Sequence, residues 1–166
     1  YLTKFIKNSI LLMYVTNRKT KENEEAEVLP VEEIDCESIR ESKRFLFNWE
    51  MNSCITYKLC LSDSKEILGL ISFKIVPQEF RLQIVLLEVS IENVGKQKIY
   101  DRVAGILIAF ACRISFEEGC YGFVSLVPKT ILREHYMEKY GFIPMANHLA
   151  TDGRNAHKLI SDYLLM

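Results

Sequence analysis

The stretch Arg81 to Ile91 (Arg-Leu-Gln-Ile-Val-Leu-Leu-Glu-Val-Ser-Ile) limits what this chain can fold into more than any other. An apolar, β-branched run of that length suits a strand buried on both faces. The covering layer is written a little further on. Val103 to Glu118 is apolar almost all round through Cys112 and ends at Gly119, which predicts a buried helix with a glycine C-cap. A central strand followed by an all-round apolar helix points to an α/β chain with helices packed on a sheet.

The remaining elements are read outward from that pair. Residues 9–16 (Ser-Ile-Leu-Leu-Met-Tyr-Val-Thr) predict a buried first strand. Arg18 to Glu27 is charge-dense and reads as a mobile loop. Val31 to Trp49 predicts a helix, with Pro30 before it, Glu32 and Glu33 in its first turn, and Ile34, Ile39, Phe45 and Leu46 on one face. Cys54 to Leu61 and Ile67 to Val76 predict a hairpin across Ser62 to Glu66, and Pro77 and Gln78 turn the chain into the central strand. Gly122 to Val127 predicts a short strand stopped by Pro128. Thr130 then N-caps a helix to Tyr140, which Gly141 closes, and Phe142 to Met145 begins another strand. The tail from His148 is harder to read, and its Ala156 to Leu165 part is given as one more strand. A meander followed by βαβ-like units predicts a mixed sheet flanked by helices.

Composition sets bounds on function. At 166 residues the chain reads as one domain, 1–166, long enough for one proper core. A formal net charge of -1 argues against nucleic acid as a general partner. Five cysteines with no C-x-x-C pair suit neither a zinc site nor a disulfide framework and point to a reducing cytoplasm. The run at 9–15 is too short to span a membrane and has no cleavage site after it. His135, His148 and His157 lack metal-ligand spacing. Ser115 and Ser125 lack a nucleophile-elbow context, and Cys120 is only a faint nucleophile candidate.

Four segments carry a family resemblance. Val-Leu-Leu-Glu-Val-Ser90 precedes a turn, Tyr-Asp-Arg-Val-Ala-Gly-Ile-Leu-Ile-Ala109 opens the long helix, Glu-Glu-Gly-Cys-Tyr-Gly-Phe-Val124 spans its end and the next strand, and His-Tyr-Met-Glu-Lys-Tyr-Gly-Phe142 closes a later helix. In order and spacing these resemble the core of the GNAT superfamily of N-acetyltransferases, and the meander brings the likeness to residues 54–146. The resemblance implies acetyl-CoA as co-substrate, no metal, and transfer of the acetyl group to a primary amine without a covalent intermediate. Small amines, antibiotics, protein N-termini, lysines and aminoacyl-tRNA all stay open as acceptors, and the oligomeric state stays open too, homodimer included.

The same resemblance assigns residues. Tyr100, Asp101, Arg102, Val103, Ala104 and Gly105 fall on the glycine-rich pyrophosphate turn. There Arg102 replaces the first glycine and Ile99 an Arg or Gln. Lys129 falls on an asparagine of the family. Leu87 to Val89 correspond to the strand whose backbone polarises the thioester carbonyl and pairs with the pantetheine arm. Tyr136 matches the tyrosine that protonates the leaving thiolate, with plain packing beside Ile131, Leu132 and Tyr140 as the alternative.

The chemistry gives these positions physical content. A helix N-terminus offers unpaired N–H groups and a positive dipole end to a pyrophosphate. Arg102 either presents its amide there, with its guanidinium as a further two-pronged phosphate ligand, or with Asp101 marks a solvated helix start beside a closed or lost site. Glu88 interrupts the most apolar strand, where burial suits a general base acting on an ammonium, directly or through water. The alternative is an ion pair with Lys74 or Arg81. The rival to an enzyme is a non-catalytic GNAT-like module that binds acyl-CoA or only a protein partner, and Arg102 and Lys129 favour it.

Overall fold

The computed structural model describes residues 13–49 and 54–164. Its nine strands form one curled sheet in the order β6-β1-β2-β3-β4-β5-β7-β9-β8. In chain order these are β1 (Met13–Asn17), β2 (Asn23–Pro30), β3 (Ile55–Leu61), β4 (Ile67–Val76), β5 (Arg81–Val89), β6 (Tyr100–Asp101), β7 (Val124–Leu126), β8 (Ile143–Met145) and β9 (His148–Thr151). Four helices accompany them: α1 (Glu33–Ser42), α2 (Val103–Glu117), α3 (Arg133–Tyr140) and α4 (Gly153–Leu164). All neighbouring strands run antiparallel except β5 and β7, which are parallel.

The predicted central strand is β5 and the predicted buried helix is α2. From Ile106 to Cys112 every α2 residue is buried, because one flank lies on β4 and β5 and the other on α4. Tyr57, Phe73 and Phe110 lock helix to sheet, with ring centroids 5.6 Å apart for Tyr57–Phe73 and 4.8 Å for Tyr57–Phe110. Each such pair adds about 1 kcal/mol beyond its buried area. On the opposite face Ile39, Trp49 and Leu70 form a smaller core. α1 is pinned there by Lys58, whose Nζ lies 2.7 Å from each Asp35 oxygen.

Four expectations need correcting, and a fifth falls partly outside the described residues. The 18–27 segment is not a loop throughout: β2 starts at Asn23 and pairs with both β1 and β3. Its glutamates hid a period of two in which Ala26 and Val28 turn inward. The helix predicted over 31–49 stops at Ser42, because Lys43 turns left-handed at φ 54°. Thr130 opens a short 3-10 turn, and α3 begins only at Arg133 with Leu132 as its N-cap. The strand expected over Ala156 to Leu165 is instead part of α4 as far as Leu164, with Ala156, Leu159 and Leu164 buried at helical spacing and the Asn155 amide donating to Asp152 Oδ1 at 2.7 Å. Residues 9–12 of the first predicted strand lie outside the described residues, whereas Met13–Asn17 is β1.

Candidate active site

The site begins with a gap in the sheet. β5 pairs with β7 only at Leu82↔Val124 and Gln83↔Ser125, and beyond Gln83 the two strands part. One cause is local: against β4 the register jumps from Ser72↔Leu86 to Phe73↔Ile84, so Val85 is an extra, unpaired residue. A bulge of this kind bends and twists its strand. The Ser90 amide donates to Leu68 O on the β4 side, at 2.9 Å. Strand alternation therefore turns the peptide groups of Leu87 and Val89 toward the parted edge.

The N-terminus of α2 is the second component. Its first intrahelical bond runs from the Ile106 amide to Arg102 O at 2.9 Å, which leaves the amides of Val103, Ala104 and Gly105 without helical partners. Arg102 is the N-cap and adopts φ 82°, the left-handed conformation in which glycine is unstrained. A residue with a Cβ thus holds a backbone that favours glycine. The guanidinium does not cap the turn. Nε donates to Tyr14 O at 3.1 Å, and Nη2 donates to Asp162 O and Tyr163 O at 3.2 Å each. The same group lies 4.2 Å over the Tyr14 ring and 5.2 Å over that of Tyr163. Arg102 thus closes the C-terminal end of α4 and leaves the α2 amides free of its own side chain.

Gly105 serves packing. A Cβ there would meet the Tyr163 ring at 2.1 Å, so the close approach of α4 to α2 requires glycine.

Beside this turn stands a cluster of cations that the sequence reading missed. Asp101 Oδ1 lies 3.0 Å from Lys98 Nζ and Oδ2 lies 3.7 Å from Arg18 Nε. Burial acts to raise the Asp101 carboxyl, but Lys98, then Arg18 and Lys139, hold it below its usual value. Lys139, on α3, is lowered by burial and then by the adjoining Lys98 ammonium. His135 is lowered by burial and then by Lys139 and Lys98. Three cations sharing one carboxylate leave positive charge beside the α2 N-terminus, which suits a polyphosphate. The sequence signal was slight: Lys96 and Lys98 before the helix, with Lys139 far away in the chain.

Leu87, Val89, Tyr100, Ala104 and Tyr136 all sit half-buried on the rim of one core. Tyr136 has its phenol raised by burial and its ring edge-on to Phe142 at 5.9 Å. Tyr100 and Asp101 form β6 against Asn17 and Thr16. Burial first, and then the Glu24 carboxylate bonded to it, push the Tyr100 hydroxyl up to about 12.

Glu88 and Lys129 both contact the loop that follows α1. Glu88 Oε2 accepts the Leu46 amide at 2.6 Å, while Oε1 accepts the Phe47 amide at 3.2 Å and the Trp49 indole N–H at 2.9 Å. Its partners are thus donors in the 43–49 loop, not Lys74 or Arg81. Lys129 Nζ stands 5.2 Å over the Phe47 ring. Cys120 is buried, and burial and then Glu118 raise its thiol. Among the described residues no group of three or more His, Cys, Asp or Glu could hold a metal ion, and no helix is long and apolar enough to cross a membrane.

Comparison with solved structures decides the fold type. A chimeric spermidine N-acetyltransferase SpeG from Vibrio cholerae and hSSAT superposes with a TM-score of 0.59 at 13% identity, covering 80% of this chain and 98% of that one. This chain has the GNAT N-acetyltransferase fold. A dodecameric spermidine N-acetyltransferase from Vibrio cholerae gives a TM-score of 0.56 at 13% identity over 77% of this chain and 94% of that one. A Trypanosoma brucei acetyltransferase gives 0.51 at 19% identity over 72% and 94%. No protein-family model and no curated protein sequence matches the chain. The parted β5 edge and the α2 N-terminus are neighbours: a Cβ on Gly69, which pairs with Val89 of β5, would meet Val103, the first residue of α2, at 3.0 Å, at the carboxyl end of the strand, where open α/β sheets bind ligands.

Proposed function

We propose that the chain is an acetyl-CoA-dependent N-acetyltransferase that acts on a primary amine. One observation carries this reading: β5 and β7 part after Gln83 beside a helix N-terminus whose first three amides lack helical partners. Acetyl-CoA supplies an activated thioester carbonyl when bound. The peptide groups of Leu87 and Val89 pair with its pantetheine arm and polarise that carbonyl. The amides of Val103, Ala104 and Gly105 take the pyrophosphate, and Arg18, Lys98 and Lys139 add cations beside them.

The neutral amine attacks the carbonyl carbon, the new C–N bond forms and the C–S bond breaks. Tyr136, kept protonated by burial, gives its proton to the departing sulfur. The proton shed by nitrogen returns through water to the phenolate. Glu88 contributes by holding the 43–49 loop, since both of its oxygens already accept N–H groups. Arg102 contributes through its backbone, and Lys129 through the wall it forms with Phe47.

Two measurements test the reading. Acetyl-CoA at millimolar concentration should raise the melting temperature, since a ligand bound only by the native state stabilises it. Lys98→Ala/Lys139→Ala should shrink that rise and flatten its salt dependence. Thiol release should then follow addition of an amine panel that includes spermidine, the acceptor named for the structural neighbours. No shift refutes coenzyme binding. A shift without release to any amine assigns the chain to the non-catalytic reading.

A further inference from the structure

The loop between β5 and β6 reverses the usual rule of burial. Ile91, Val94 and Ile99 are exposed at 52%, 60% and 46%, while the polar Asn93 is only 5% exposed. No other residue from Ile91 to Tyr100 is buried. A polar side chain held inside while its apolar neighbours stay in water is there for its hydrogen bonds. Asn93 uses both ends of its amide. Nδ2 donates to Ser90 Oγ at 2.8 Å, and Oδ1 accepts the Tyr100 amide at 2.9 Å.

These two partners end the two halves of the site. Ser90 follows Val89, the last residue of the parted β5 edge, and is itself buried with its amide fixed on Leu68 O. Tyr100 opens the turn that leads into the free amides of α2. Nine residues lie between Ser90 and Tyr100, and a free loop of that length does not fix its ends relative to each other. The Asn93 bridge does, with one backbone bond beside it, from the Ile99 amide to Glu92 O at 3.1 Å. Arg44 steadies the same loop from the α1 side. Its carbonyl accepts the Ile91 amide at 3.0 Å, and its guanidinium holds Glu92, to which the Ser90 hydroxyl is also bonded.

We infer that Asn93 is a positioning residue for the coenzyme, setting the distance between the β5 edge that takes the pantetheine arm and the turn that takes the diphosphate. This inference rests on the acetyltransferase reading above and adds a residue to the same site. Asn93 acts through Ser90 and Tyr100. Two linked contacts gain affinity over either alone only where the geometry lets both engage at once, and the bridge supplies that geometry.

The test separates the two contacts. Melting-temperature titrations give the affinity for acetyl-CoA, for ADP (a diphosphate without the arm) and for S-acetylpantetheine (the arm without phosphates). Asn93→Ala should weaken acetyl-CoA about tenfold while changing each fragment by less than about twofold. Ser90→Ala removes one end of the bridge and should weaken acetyl-CoA about threefold, which decides the matter if Asn93→Ala does not fold. Equal weakening of all three ligands marks a merely structural residue and overturns the inference. Unchanged acetyl-CoA affinity in either variant does the same. So does a native protein that binds acetyl-CoA but fails to bind either one of the fragments at millimolar concentration, because the edge and the turn are then not separate contacts. A native protein with no acetyl-CoA shift brings down the acetyltransferase reading first, and this inference with it.

Discussion

Arg102 offers the sharpest test of how the turn before α2 is held, because its backbone and side chain have separable roles. Replacing it by alanine removes three hydrogen bonds from a guanidinium to the carbonyls of Tyr14, Asp162 and Tyr163, and two cation–π contacts. Shared by one partly exposed group, these interactions together are worth about 2–4 kcal/mol. Alanine also keeps the cost of φ 82°, about 1–2 kcal/mol for a residue with a Cβ. Glycine loses the same side-chain contacts but relieves that strain, against about 0.5–1 kcal/mol of extra chain entropy in the unfolded state. Arg102→Gly should therefore be more stable than Arg102→Ala by about 0.5–1 kcal/mol, although both fall below the native chain. For a protein of this size that is a gap of roughly 1–4 °C between variants melting roughly 5–15 °C below native. Urea denaturation of the three proteins, with the slope m checked for constancy, measures it directly. If alanine matches or exceeds glycine, the left-handed backbone is not what this position imposes. If alanine costs less than about 0.5 kcal/mol, the bonds to α4 contribute nothing.

Three further perturbations follow from the same contacts. Glu88→Ala should free the 43–49 loop and cost about 2–3 kcal/mol, since the buried Trp49 N–H loses its acceptor. Trp49 is the chain's single tryptophan, so a red shift of its emission reports the loosening, and unchanged emission would sink the anchoring role. Gly105→Ala places a Cβ 2.1 Å from Tyr163 and should destabilise by about 1–3 kcal/mol. Adding Tyr163→Ala should cost less than the sum of the single changes, and strict additivity in denaturation would show that the ring is not the obstacle. Tyr136→Phe should lower kcat roughly 10²-fold with little change in acetyl-CoA binding. Because burial raises this phenol, its protonated form persists above the ordinary tyrosine value of about 10, so the alkaline limb of kcat should lie higher than that. A limb below it, or a kcat that survives the substitution, removes Tyr136 from the proton transfer.

The sequence by itself determined the elements whose own composition demands burial. β5, α2, the β3–β4 hairpin and the glycine-closed α3 were all legible, because a two-sided strand and an all-round apolar helix have few other ways to leave water. β2 and α4 were not, because charged outward faces masked a period of two in one and only the helix-spaced Ala156, Leu159 and Leu164 marked the other. The site divides in the same way. Motif order pointed to the turn at 100–105 and to Tyr136, since those signals are local. Tertiary structure alone decided where Arg102 sends its guanidinium, what Glu88 holds, and that Arg18, Lys98 and Lys139 gather around Asp101. Those contacts join residues as far apart as 88 positions (Tyr14 to Arg102), and no local pattern encodes a partner at that distance.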